Sequence, residues 1–167
     1  MYKINDYVVY KREVCKIIDV NKSYYKGLDY YVLSVLNDET LKLQVPVDNN
    51  SIRPLMSKKD ITNLIKKIPD IEIISCNDKL LEIEYKNKMK SENVEDLISI
   101  IKTTYLRNKK RLDNKKKTAL KDNDFFEIAE KYLYTEIAVV FKISYNEAKE
   151  YVIGEVSKLG EIDKNDC

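Results

Sequence analysis

The hydrophobic pattern of this chain changes period once, near Pro54 to Ser57, and that change limits what it can fold into. Up to residue 56, β-branched and aromatic residues alternate with period two. After Ser57, apolar residues recur at spacings of three and four. A chain of 167 residues is long enough for two small modules and too short for more. The pattern therefore predicts an α+β protein, with a small bent β-sheet domain over 1–56 and an α-helical bundle over 57–167.

In the first module, Leu41, Leu43, Val45 and Val47 share one face while Lys42, Gln44 and Pro46 share the other, the pattern of a half-buried antiparallel strand. Pro46 has no N–H to give to a ladder, which places this strand at a sheet edge. Tyr7–Tyr10, Val14–Val20 and Tyr30–Leu36 supply three more strands, with turns at Lys26-Gly27 and Asn37-Asp38.

In the second module, Ser57 and Asp60 mark a capped helix start, followed by the stripe Ile61, Leu64, Ile65 and Ile68 and the stop Pro69. A second helix is predicted over about Asp78 to Lys90. In the third, Val94, Leu97, Ile98, Ile101, Tyr105 and Leu112 form one apolar face. A fourth runs from roughly Asp124 to Phe141. The fifth opens on the capping box Ser144 to Glu147 and packs through Tyr145, Ala148, Val152, Val156 and Leu159.

With no histidine, the chain lacks the commonest general base and metal ligand near neutral pH. Three glycines, Gly27, Gly154 and Gly160, cannot write a P-loop or a dinucleotide fingerprint. Glu82 and Glu84 stand two apart on a predicted helix and do not share a face, so they make a poor acid/base pair. The expectation is a non-enzyme without cofactor, metal or small-molecule substrate. Apolar runs such as Ile137 to Phe141 fall far short of a membrane span, and the first residues lack a signal-peptide stretch. Cys15, Cys76 and Cys167 are odd in number and widely spaced, which suits a reducing compartment. A cytoplasmic protein is expected, with Cys15 and Cys76 as packing residues and Cys167 as an exposed tail thiol.

The net charge is only +2, but residues 102–121 carry nine lysines and arginines against Asp113 alone. A basic segment that continues a helix into a loop is what neutralising a row of phosphates requires. A solvated helix end has the same composition, because cations suit a helix C-terminus. Tyrosine is the dominant aromatic, with 13 copies, and Tyr24, Tyr25, Tyr30 and Tyr31 crowd the first module. Such rings can anchor an interface or lie half buried in a small β domain.

Five fragments in order carry a resemblance: Asn5 to Tyr10, Val14 to Ile17, Lys26-Gly27 with Tyr30 to Leu33, Val45 to Asn49, and Ile52 to Leu55. Together they resemble the N-terminal domain of CarD-type transcriptional regulators over about 55 residues. Lys88 to Ser91 and Thr135 to Ala138 extend the likeness into the helices, where they are similar to the segment before the family's long helix and to its penultimate helix.

The resemblance implies a Tudor/SH3-like first domain that grips the β subunit of RNA polymerase, and a helical domain near promoter DNA. It makes the strand around Lys42, Gln44 and Pro46 the docking edge, and Lys22 and Tyr25 further candidates for polymerase binding. Candidate DNA-binding residues are Lys79, Lys86, Lys88, Arg107, Lys109, Lys110 and Arg111, through sequence-nonspecific backbone contacts. Family members often carry a basic residue where Gln44 stands. They also have a glycine turn after the first strand, where this chain reads Lys11-Arg12-Glu13-Val14. The family's wedge tryptophan and the arginine after it fall at Asp78 and Leu81, and the chain has no tryptophan. An aspartate cannot wedge against a base and repels phosphates, which leaves the lysines to hold the backbone.

The function expected is thus non-catalytic regulation of open-complex formation at promoters. The alternatives are a protein-binding adaptor that never reaches DNA, and an SH3-like RNA-binding module using Tyr24 and Tyr25.

Overall fold

The computed structural model describes residues 1–165, with side chains described through residue 160. Cys167 lies outside them. The chain divides into two compact units, Met1–Leu55 and a second that begins at Met56.

The first unit is one antiparallel sheet of five strands: β1 (Tyr7–Tyr10), β2 (Glu13–Tyr25), β3 (Leu28–Val35), β4 (Asp38–Pro46) and β5 (Ile52–Pro54), in the order β4-β3-β2-β1-β5. Val8, Cys15, Ile17, Tyr31, Leu33, Val35 and Val45 form its core. The register slips between Ile17 and Asp19, so one extra residue on β2 bends the strand and increases its twist. Tyr31 is 1% exposed and its hydroxyl accepts from the Tyr2 N–H at 3.0 Å, which ties the N-terminal segment to the core.

Two hairpin turns are built at positive φ. Lys26 (52°) and Gly27 (76°) join β2 to β3, and Lys11 (48°) and Arg12 (74°) join β1 to β2. Positive φ at both central residues is the type I′ solution that matches strand twist. The first turn achieves it without glycine. Between β3 and β4 the turn is Leu36-Asn37, one residue before the expected Asn37-Asp38, because Asp38 already pairs with Val35. The next pair is Ser34 with Lys42, so residues 39–41 bulge out of the ladder. That bulge leaves Leu41 exposed, although Leu43, Val45 and Val47 share a face as the alternation predicted.

The second unit holds five helices: α1 (Lys58–Lys67), α2 (Asp78–Lys90), α3 (Val94–Asp113), α4 (Leu120–Phe141) and α5 (Tyr145–Asn165). Pro69 ends α1 in a single 3₁₀ turn, Ile68–Asp70. Ser57 and Asp60 form a reciprocal capping box, and so do Ser144 and Glu147. Helix α4 starts at Leu120 rather than Asp124. It packs against α3 and α5, with Ala129, Leu133 and Ile137 in the shared core.

Three further expectations need correction. The buried face of α3 is rotated from the expected stripe: Ile100, Thr103 and Thr104 are buried, while Tyr105 and Leu112 are 56% and 59% exposed. Hydrogen bonding explains this. The Thr103 and Thr104 hydroxyls donate to the Ser99 and Ile100 carbonyls, Ser99 Oγ donates to the Glu72 carbonyl, and the Ile74 N–H donates to Thr103 Oγ1. Their polar groups are therefore satisfied beneath the segment that precedes α2. Cys76 is exposed rather than packed, because it sits in that irregular segment beside the α2 cap Asn77. Tyr145 stays 37% exposed at the first turn of α5, with its ring edge-on to Tyr134.

Candidate functional site

In the first unit Lys42, Gln44 and Pro46 lie on an edge strand of the sheet. Strand β4 pairs only with β3, through Tyr30–Pro46, Val32–Gln44 and Ser34–Lys42 alternating with Tyr31–Val45 and Leu33–Leu43. Antiparallel partners alternate between pairs that exchange hydrogen bonds and pairs that do not. Pro46 has no N–H, and the Val47 N–H bonds the Asp29 carbonyl at 3.0 Å, so Val45 and Val47 turn their main chain toward β3. Lys42 and Gln44 then turn their N–H and C=O groups outward, whereas the Pro46 carbonyl already accepts from the Asn49 N–H at 3.1 Å. The arrangement offers hydrogen bonds at alternate residues to an added strand.

Lys22 and Tyr25 lie elsewhere, at the far end of the β2–β3 hairpin. The Lys22 ammonium donates to Asp29 Oδ2 at 2.9 Å, and Asp29 also accepts from the Ser23 N–H, so both contacts hold its carboxyl below the usual range. Tyr25 is 56% exposed with the Lys26 ammonium over its ring. The register row Asn21–Tyr30–Pro46 connects this end of the hairpin to β4.

In the second unit three of the seven expected DNA-binding cations, Lys86, Lys88 and Arg107, face acids. The Arg107 guanidinium donates to Asp122 at 3.0 Å and to Asp78 at 2.9 Å, and Tyr85 Oη donates to the other Asp122 oxygen at 3.0 Å. Asp122 is 2% exposed and Tyr85 1%, so the cluster joins α2, α3 and α4 with a buried inner end, while Asp78 at its outer end lies in solvent. Burial, followed by the Asp122 charge, pushes the Tyr85 phenol well above its ordinary range. The Lys86 and Lys121 ammoniums share the Glu82 carboxylate, which holds its pKa down at about 2. Lys88 donates to Asp96 at 2.6 Å. Lys102, counted in the basic run, instead donates to the carbonyls of Ile68, Pro69 and Ile71, where it satisfies the open end of the 3₁₀ turn. Of the two family positions, Asp78 is the ion-pair partner of Arg107, and Leu81 is 5% exposed in the core.

Lys79, Lys109 and Lys110 are exposed. Arg111 Nε donates to the Lys117 carbonyl at 3.0 Å and so braces the loop between α3 and α4. That loop presents Lys115, Lys116 and Lys117, all exposed. The charge count over 102–121 pointed at these three lysines, yet the expected site omits them. The Asp122 cluster had no comparable signal, because Tyr85, Arg107 and Asp122 are far apart in the chain.

A cleft of about 520 Å³ opens between α3, α4 and α5, bordered by Ile101, Phe126, Leu133 and Val152 and by the ion pair of Lys149 with Glu130 at 3.0 Å. Among the described residues no group of three or more acidic or cysteine side chains is placed to hold a metal, and no helix is long and apolar enough to cross a membrane. Comparison with protein-family models finds no match, and comparison with curated protein sequences finds none either.

Proposed function

We propose that this protein is a non-catalytic, cytoplasmic regulator of transcription initiation. It binds the β subunit of RNA polymerase through β4 and brings its helical unit to promoter DNA, where binding energy shifts the opening equilibrium. The observation that carries the reading is the β4 edge of the sheet, with main-chain groups of Lys42 and Gln44 turned outward next to a sequence that resembles the polymerase-gripping domain. Strand addition draws affinity from main-chain hydrogen bonds, which makes Gln44 in place of a basic residue a tolerable change.

Pull-down of the polymerase β subunit with the whole chain tests it. Association is expected, and Lys42→Glu/Gln44→Glu, which charges the rim without touching the core, should weaken it at least tenfold. No association by a folded wild-type chain overturns the reading. The internal pairing of Lys86, Lys88 and Arg107 favours a second reading, an adaptor that binds only proteins. DNA affinity that is absent at low ionic strength would decide for the adaptor.

A further inference from the structure

We propose that the cleft between α3, α4 and α5 is a binding site for a small amphipathic monocarboxylate, an apolar body whose single carboxylate is held by Lys149. The site lies wholly in the helical unit and depends on neither the polymerase contact nor the DNA contact.

Two apolar stripes at helical spacing make the cleft. Helix α3 lines it with Ile98, Ile101 and Tyr105, and α5 lines it with Val152 and Val156. The two helices each pack on α4 and scarcely on each other, so a gap stays open between them beside Phe126 and Leu133 of α4. Its volume of about 520 Å³ falls within the roughly 300 to 1,000 Å³ typical of small-molecule sites, and its lining is mostly apolar with a few polar groups, as in such sites. Tyr105 and Ile153 are the exposed residues at its mouth. Tyr105 therefore continues the α3 stripe yet lies outside the packed core, because no side chain of α5 fills the space in front of it.

Length selects the occupant. Cleft residues run from Ile98 to Tyr105 on α3 and from Lys149 to Ser157 on α5, spans of about 12 Å along each helix. A docked helix long enough to hold its own shape needs about 12 residues, or about 18 Å. The walls are too short for a helix and suit a small apolar body.

Charge selects the head group. The charged side chains lining the cleft are Lys102, Lys149 and Glu130, two cations against one acid. Lys102 is committed to the carbonyls of Ile68, Pro69 and Ile71, so Lys149 is the cation that a ligand meets. An ammonium has three donors. Lys149 gives one to Glu130 at 3.0 Å and stands 5.9 Å from the centre of the Phe126 ring. Its side chain is 36% exposed against 9% for Glu130, so a carboxylate can reach the ammonium from the open side while Glu130 holds it from the buried side. An organic cation would meet Lys149 first and be repelled, and a neutral molecule would gain nothing from the charge.

The test is isothermal titration calorimetry of the whole chain with decanoate, 1-decanol and decyltrimethylammonium, all below the concentrations at which they form micelles, with methyl NMR shifts locating the bound probe. One decanoate per chain should bind, with shifts at Ile101 and Val152, and about tenfold more tightly than 1-decanol, because a charge-assisted hydrogen bond separates the two. Glu130→Gln removes the competing carboxylate and should tighten decanoate binding about threefold or more. Glu130→Gln/Lys149→Gln leaves no buried charge unpaired and should bring decanoate down to the affinity of 1-decanol. Val156→Phe, at a half-buried position on the cleft wall, fills the space and should remove both probes while far-UV circular dichroism stays that of the wild type. No saturable decanoate binding, equal affinity for 1-decanol, tighter binding of decyltrimethylammonium, or shifts that avoid Ile101 and Val152 overturns the proposal. Decanoate binding that survives in the charge-free pair variant does so too, as does a dimer of this chain that closes the cleft and that decanoate does not dissociate. None of these results bears on the polymerase reading, which the pull-down reports separately.

Discussion

Arg107 on α3 and Asp122 on α4 meet at 3.0 Å with the aspartate side chain 3% exposed, and Tyr85 of α2 donates to the same carboxylate. The pair converts what reads in sequence as a phosphate-seeking arginine into the tie that sets three helices against one another. Asp122 is the buried member, and Arg107 reaches solvent and keeps a second acid in Asp78, so the group most exposed to the loss of the carboxylate is the Tyr85 hydroxyl.

Asp122→Ala should lower unfolding stability by about 1 to 3 kcal/mol, mostly from the buried Tyr85 hydroxyl left without its acceptor, because Arg107 keeps Asp78 and reaches solvent. Urea titration followed by far-UV circular dichroism measures it. A loss below about 1 kcal/mol would mean that the cluster is solvated and contributes little, as surface pairs do.

The Glu82 carboxylate, shared by Lys121 and Lys86, has its pKa lowered from 4.5 to about 2. A depressed folded-state pKa stabilises above the unfolded value and loses that contribution as pH falls. The stability gap between wild type and Glu82→Gln should be full above pH 4.5 and should close as pH drops toward 2. Thermal melts of both proteins across that window check this, and a gap that stays constant would refute it.

The two hairpin turns make opposite predictions. Gly27 has φ 76° with open space around it, so Gly27→Ala costs only the backbone strain of a left-handed residue, about 1 kcal/mol. Lys11 is exposed and already at φ 48°, so Lys11→Asn, which tolerates that region, should stabilise by about 0.5 kcal/mol. Chemical denaturation of the two variants against wild type should show shifts of opposite sign.

Cys15 is 0% exposed and burial pushes its thiol pKa up to about 12, while Cys76 is exposed. A thiol reagent at neutral pH should modify Cys76 within minutes and Cys15 only when the sheet opens. Mass spectrometry of the modified peptides assigns the sites. Rapid native labelling of Cys15 would contradict its place in the core.

Much of the fold is legible in the residues because its signals are local. The capping boxes at Ser57 and Ser144, the stop at Pro69 and the I′ turn at Lys26-Gly27 each depend on neighbours within a few positions. Pro46 alone implied an edge strand, since a missing N–H excludes the middle of a sheet. The α3 face was misread because Thr103 and Thr104 look polar in sequence, and only the turn before each of them and the segment above decide that they can be buried.

Local patterning in the chain sufficed for the single change of period, for four of the five strands and all five helices in order, and for the concentration of positive charge after residue 101; the short β5 strand, Ile52–Pro54, carried no such pattern. The tertiary structure decided which of those charges remain available. Lys121 finds Glu82 across 39 positions, Arg107 finds Asp122 across 15, and Lys102 turns to the carbonyls of a 3₁₀ turn more than 30 residues earlier. A side chain carries its charge wherever the chain goes. Whether that charge is neutralised depends on what helix packing brings within a few ångströms of it, and local spacing does not encode that meeting.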